Sequence, residues 1–344
     1  MEIGIIGAPQ TGKSTLFKAI TGIDPGHETG KRAVVRVPDT RLDHLTGVFN
    51  PKKQVNATIN FIDAPPPTPT KKGGSDQGFL NFIKTVDALL VVTGCFKDGA
   101  KKEFEDIMDL LLLSDITLVE RMLGKEKKIK IDPKYSGPSM ETLEKLKTHL
   151  DDGKRIVDMD LSEKELKSLS GLELYTRFPI FVVNNVSDSH IGKEPEGQEV
   201  EINKMLDGMG IPHMALSASI EAEIATLEDD DRAVFMEEYG ITEKASDRVI
   251  SETFGLLGLQ VFFTAGEDEC RAWTIRKGDN AVTAAGKVHS DIAQHFIRAE
   301  TCSYEDFLAC DNSLKEAKNQ GKLRLEGKDY VVVDGDIINF RHSG

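Results

Sequence analysis

"GAPQTGKS", Gly7 to Ser14, is the stretch on which the fold turns. It completes the pattern G-x-x-x-x-G-K-[ST] between a short apolar strand, "EIGIIG" (residues 2–7), and a helical stretch, "STLFKAITG" (residues 14–22). The helix opens on hydroxyl residues and closes on Gly22. The two glycines let the backbone curl so that successive N–H groups face one point at the positive end of a helix. A phosphate is the anion that fits there. Lys13 is then placed to reach the β- and γ-phosphates, and Ser14 to give its hydroxyl to magnesium. Strand, glycine-rich turn and helix together predict an α/β phosphate-binding domain.

A loop of this kind serves kinases, ATPases and GTPases alike, so the choice rests on the rest of the chain. The strand "TINFID" (residues 58–63) ends on Asp63, where a carboxylate would hold magnesium. In "FPIFVVNNVSDSH" a strand over 179–183 leads into Asn185 and Asp188, spaced N-x-x-D. A carboxylate there accepts both guanine N1–H and N2–H, whereas the adenine N1 lone pair is repelled. Asn and Asp also commonly make a plain turn after a strand. "IPHMALSASIEAEIA" offers a further strand ending at Ser217-Ala218-Ser219. The expected nucleotide-binding set is Gly7, Pro9, Gln10, Thr11, Gly12, Lys13, Ser14, Thr15, Asn185, Val186, Asp188, Ser217, Ala218 and Ser219, with Ser14 and Asp63 on magnesium. No residue is assigned a catalytic role.

Composition narrows the class. The chain has 344 residues, 39% hydrophobic and 29% charged, which suits a folded protein of two or three domains. No run of about 18 apolar residues marks a membrane span, and "MEIGIIG" reads as a first strand rather than an export signal. Cys95, Cys270, Cys302 and Cys310 form no CxxC pair and have no histidine partners at zinc spacing. Reduced structural thiols in a cytoplasmic protein are the expectation. A net charge of −14 argues against indiscriminate nucleic-acid binding, which needs a basic face.

"GAPQTGKSTLF", "VPDTRLDHL", "SASIEAEIA" and the C-terminal run from "LGLQVFFTAGEDECRAWTIRKG" to "GKLRLEGKDYVVVDGDIINFR" resemble the YchF, or Obg-like ATPase, family. The likeness runs nearly end to end and is densest in the last 85 or so residues. It implies a Ras-like P-loop domain over 1–98 and 178–257, an inserted helical hairpin over 99–177, and a ubiquitin-like β-grasp (TGS) domain over 258–344. It also implies hydrolysis of ATP or GTP with Mg2+, and association with ribosomes or RNA through the TGS domain and the hairpin.

Departures from the family fall at its working parts. The D-x-x-G of the second switch becomes Asp63-Ala64-Pro65-Pro66, and Pro66 has no N–H to give the γ-phosphate. The first switch is shortened to "GIDPGHETGKRA" (residues 22–33), where His27 or nearby Thr29 stands for the magnesium-binding threonine. The family's loop histidine after "ALLVVTGCF" is absent from "KDGAKKEFEDIM". Asp188 replaces the family's Glu, which goes with ATP, and Val186 stands where GTPases carry Lys. Interactions aimed at developing charge typically contribute several kcal/mol of barrier lowering, so hydrolysis is expected to be weak or absent. Lys71 and Lys72 are candidates for compensation, although lysine heads prefer water. A competent ATPase or GTPase with altered switches, and a scaffold that needs no nucleotide, are the rival readings.

Residues 103–124 and 139–169 carry apolar residues at helical spacing, with the leucine run 110–113 as core at the hairpin base and the hairpin tip as a candidate partner contact. "PPPTPTKK" (residues 65–72) also fits a polyproline ligand pattern but reads better as a stiff replacement for the second switch. In the C-terminal segment "VFFTAG", "RAWTIRKG", "DYVVVDG" and "IINFR" read as strands, with a helix near "TAAGKVHSDI". Its acids outnumber its bases, so an RNA contact there must use a small face, with Arg271, Arg276, Lys277, Lys287 and Arg298 as candidates. Trp273 is read as core rather than as a base-stacking residue.

Overall fold

Four apolar residues of β1 (Glu2–Ile6) are buried, and the strand lies between two parallel neighbours, β4 (Thr58–Asp63) and β5 (Ala88–Gly94). The computed structural model describes residues 1–26, 30–67, 76–125 and 137–343. β5 is buried along its whole length, as a strand covered on both faces must be. It pairs in parallel with β6 (Ile180–Asn185), and β6 with β7 (His213–Leu216). With β2 (Arg32–Arg36) at one edge, the sheet order is β2-β4-β1-β5-β6-β7. Register places Ile5 opposite Asp63 and Gly94 opposite Asn185, so the strand ends that carry polar residues gather at one edge of the sheet. This is the place where open parallel sheets hold ligands.

Contacts divide the chain into two units, Met1–Ala33 with Asn60–Ser246, and Val34–Ile59 with Asp247–Gly344. The first holds β1, β5, β6 and β7 and most of β4. Helix α1 (Lys13–Thr21) follows β1, and Gly22, at φ 69°, closes it. Helix α3 (Gln77–Ile83) and the first half of α4 (Ala100–Leu123) cover the sheet, burying Phe79, Ile83, Phe104, Ile107 and Leu111. The second half of α4 leaves that core and packs on α5 (Met140–Asp151). There Val119, Leu143, Leu146, Leu150, Ile156, Leu169 and Leu174 form a separate cluster.

The helix read over 139–169 is not continuous. It stops at Asp151, passes through Gly153 at φ 74° and a short 3-10 turn (Ile156–Asp158), and restarts as α6 (Glu163–Leu169). A capping box between Ser162 and Glu165 defines the restart. Asp115 of α4 ties the returning chain down. Its carboxylate accepts from the backbone N–H of Tyr175 (2.7 Å) and Thr176 (2.8 Å) and from the Thr176 hydroxyl (2.6 Å). Burial pushes this carboxyl up to about 6, against the pull of those three donors.

In the second unit the sheet order is β11-β10-β12-β8-β9-β3, for β3 (Lys53–Val55), β8 (Leu259–Ala265), β9 (Glu269–Arg276), β10 (Phe296–Cys302), β11 (Arg324–Glu326) and β12 (Ile337–His342). Helix α11 (Ala281–Val288) lays Ala281, Ala284 and Ala285 against Phe262, Ile275, Phe296 and Ile338. A mixed sheet gripping one helix is the β-grasp form. β3, from the N-terminal part of the chain, completes its edge by pairing in parallel with β9. "VPDTRLDHL" belongs here too. Asp39 caps helix α2 (Thr40–Phe49), while Arg41 bonds Asp39 and Asp334 and lies 5.3 Å from the Phe263 ring centre.

"DYVVVDG" is not a strand. Val331 makes one isolated bridge to Asn280, and Gly335 sits at φ 85°. Its backbone bonds instead run to the segment that precedes α11: Val332 N–H donates to the Asp279 carbonyl, and the Tyr330 carbonyl accepts from the Ala281 N–H. Trp273 packs on the α11 core, as read, and donates its indole N–H to Thr264 at 2.9 Å. Arg271 covers its ring at 4.5 Å and pairs with Glu269. Five positions along one strand separate Arg271 from Arg276, which puts them on opposite faces of β9.

Candidate nucleotide site

The tip of β1 and the start of α1 are joined by a loop with no room for side chains at its glycines. A Cβ on Gly7 would lie 2.6 Å from the Val92 carbonyl oxygen. At Gly12 it would lie 2.1 Å from Asn185 Nδ2, and φ there is +89°. Thr11 is buried and returns its hydroxyl to the Ala8 carbonyl at 3.0 Å. The backbone N–H groups of Gln10, Thr11 and Gly12 meet no acceptor among the described residues. Several unpaired donors at one helix start make a cradle for an anion.

Opposite the cradle, Asp63 closes the end of β4 and is 2% exposed. Its backbone is held twice, its N–H by the Lys31 carbonyl (3.0 Å) and its carbonyl by the Gly30 N–H (2.7 Å). The carboxylate forms a buried ion pair with Lys13, and Ser14 Oγ donates to its other oxygen at 3.3 Å. Hydroxyl and carboxylate oxygens side by side are the donor set that a small hard cation prefers, so Ser14 and Asp63 fit magnesium. Ala8, Pro9, Gln10, Gly12, Lys13, Ser14, Thr15, Gly26, Asp63, Pro66 and Phe96 line one cavity of about 560 Å3. Pro66 is therefore at the cavity wall. His27, Thr29, Lys71 and Lys72 lie outside the described residues.

Asn185 and Asp188 do two different jobs. Asn185 is 6% exposed and fully engaged, giving Nδ2 to the Thr11 carbonyl and taking the Ala218 N–H on Oδ1, both at 2.9 Å. It clamps three segments together: the phosphate loop, the end of β6 and the start of helix α8 (Ala218–Ile224). Val186 is buried and donates its N–H to the Leu216 carbonyl at 2.9 Å. Asp188 is exposed, and its Oδ1 accepts from both Ser217 (2.5 Å) and Ser219. Its Oδ2 takes no hydrogen bond from a described residue. Ser217 in turn caps α8.

Two contributors escaped the sequence reading. Phe96, half exposed at the end of β5, lines the cavity and ties its N–H to the Asn185 carbonyl at 3.2 Å. Lys97 places Nζ 3.4 Å from the Pro9 carbonyl and 2.6 Å from Glu103. An aromatic two residues past the apolar strand was the only signal available. Neither residue stands in a spacing that marks chemistry. Cys95 beside them is an inert thiol, pushed up to about 11 by burial.

Residues 259–343 match the YchF-GTPase C-terminal family, described as a protein of unknown function (DUF933), and residues 2–129 match a family described as 50S ribosome-binding GTPase. The "Ribosome-binding ATPase YchF" of Bacillus subtilis is 39% identical, over 100% of this chain and 99% of that protein. The proteins of the same name from Mycoplasma genitalium and Escherichia coli O157:H7 are 36% and 35% identical, over 98% or more of each chain. A solved structure, that of the Schizosaccharomyces pombe YchF GTPase, superposes with a TM-score of 0.86 at 26% identity, over 99% of this chain and 97% of that one.

Proposed function

The chain belongs to the YchF family, and on that footing we propose that it binds a purine nucleoside di- or triphosphate with Mg2+ and associates with the ribosome in the cytoplasm. We propose further that it turns nucleotide over weakly or not at all. The observation that carries the binding is the row of unpaired N–H groups at Gln10, Thr11 and Gly12, facing a cavity shared with Lys13, Ser14 and Asp63. Lys13 exchanges part of its pairing with Asp63 for phosphate oxygens. Ser14 and Asp63 hold magnesium, which when bound offsets phosphate charge. Asn185 keeps loop and base motif in register, and Asp188 offers Oδ2 to a base edge.

Weak turnover rests on Pro66 at the cavity wall, where an N–H cannot be supplied. Competent hydrolysis is the alternative, and one observation favours it: Lys97 brings a cation to the Pro9 carbonyl of the phosphate loop. We assign 1–98 with 178–257 to the nucleotide domain, 99–177 to the inserted hairpin and 258–344 to the TGS-like domain, with hairpin and TGS domain as the ribosome or RNA contacts. Calorimetric titration with ATP, GTP and their diphosphates, with and without Mg2+, tests the binding, and phosphate release tests turnover. Absence of heat with every nucleotide leaves a nucleotide-independent scaffold. Release well above the uncatalysed level, lost in Lys97→Ala, establishes the alternative.

A further inference from the structure

The leucine run 110–113 has a use that nucleotide binding does not explain. Leu111 is buried in the sheet core and Leu112 packs toward the hairpin cluster, but Leu113 is 61% exposed. Asp106, Asp109, Leu113, Thr117 and Arg121 of α4 are all exposed, forming one ridge along the helix. The ridge residues line one side of a groove of about 610 Å3, together with Leu110, Ser114 and Leu118 below them on the same helix. The hydroxyls along this face are already satisfied. Ser114 donates to the Leu110 carbonyl and Thr117 to the Leu113 carbonyl, each at 2.7 Å, so covering them strands no donor.

Charge is distributed along this face with a direction. Asp106 and Asp109 lie toward one end of this helix face and Arg121 at the other. The ends are about 22 Å apart at 1.5 Å per residue. Glu173 is paired with Lys84 and Asp106 with Lys102, while Asp109 and Arg121 have no ion-pair partner among the described residues. Such a face is complementary to itself. Reversed about a point between Leu113 and Ser114, Asp106 meets the position of Arg121, Asp109 meets Leu118 within reach of the same arginine, Leu110 meets Thr117, and Leu113 meets Ser114. The exposed ridge of one copy then drops into the groove of the other, as helices pack.

We propose that this face of α4 is an isologous interface, on which a second copy of the chain docks antiparallel about a two-fold axis at Leu113 and Ser114. Leu113 is the knob at the centre, and the Arg121 side chains close both rims on the acidic ends. One helix face of about four turns is at the small end of specific interfaces, so the dimer is weak and concentration-dependent. This goes beyond the nucleotide reading and does not depend on it.

Sedimentation of the full chain from about 1 to about 200 µM, a range chosen for a weak interface, reads the association directly. The mass rises from 37.9 kDa toward twice that value. Leu113→Asp stays monomeric at every concentration. Asp106→Arg and Arg121→Asp each weaken association at least about tenfold, and the double exchange restores it to within about threefold, because the pair is rebuilt with its sign reversed. All three positions are exposed, so unchanged thermal melting separates lost association from lost folding. A wild type monomeric throughout overturns the proposal, and shows that the face serves a different protein or none. So does a dimer indifferent to Leu113→Asp, or single reversals that the double exchange does not rescue.

Discussion

Gly12 shows how tightly single residues constrain the site. Its positive φ and its approach to Asn185 mean that alanine strains the backbone and pushes the clamp away from Thr11. Gly12→Ala is expected to lower nucleotide affinity at least about tenfold and to cost about 1–3 kcal/mol of stability, read by calorimetry and urea unfolding. Lys13→Ala should abolish binding and also leave Asp63 as a buried carboxylate without its cation. Loss of binding with stability unchanged would show that the pair contributes nothing to folding. At the base, Asp188→Ala should lower GTP affinity more than ATP affinity. Equal losses, or none, would mean that the exposed carboxylate does not read the base.

On the scale of elements, α4 serves two cores, and Asp115 is the joint between them. Its carboxyl titrates near 6 when folded and near the ordinary value of about 4 when unfolded, so the folded state binds the proton more tightly. That contribution to stability is fully present below about pH 4 and is lost as pH rises through about 6. Asp115→Asn cannot titrate and keeps a single acceptor for three donors. The stability gap between wild type and Asp115→Asn should therefore narrow from about pH 4 to about pH 7, followed by urea midpoint. A gap that stays constant would place the carboxyl at its ordinary value. The end of β4 is the other element under test. Pro66→Gly returns an N–H at the cavity wall, and the ratio of triphosphate to diphosphate affinity should rise several-fold. An unchanged ratio would show that the contact lies elsewhere.

As a whole, the molecule consists of two units with separate cores, and calorimetry should resolve two unfolding transitions. Leu146→Ala empties a fully buried position of the first unit and should lower only its transition, by about 2–5 kcal/mol of stability. Arg41→Ala removes the bridge between Asp39 and Asp334 and should lower only the other, by about 1–3 kcal/mol. Both substitutions shifting one shared transition would show that the units unfold as a single body.

Local rules made much of this legible. Glycines, lysine and serine at set spacing, between an apolar strand and a helix closed by Gly22, predict a curled turn with free N–H groups, and the loop has that form, because backbone curvature and helix polarity are short-range. The switch prolines are equally local, since a missing N–H is a property of the residue. Where several long-range terms compete, the sequence is silent. Nothing in β3 announces that it joins a sheet built some two hundred residues later, because strand pairing is settled by which edge is free to accept it. "DYVVVDG" has strand propensity, yet its backbone partners lie at 279–281, far earlier in the chain, and only folding brings that segment to it. The role of Asn185 was hidden for the same reason. Spacing points to a nucleotide contact and says nothing of the bonds to Thr11 and Ala218, which folding alone brings within 2.9 Å.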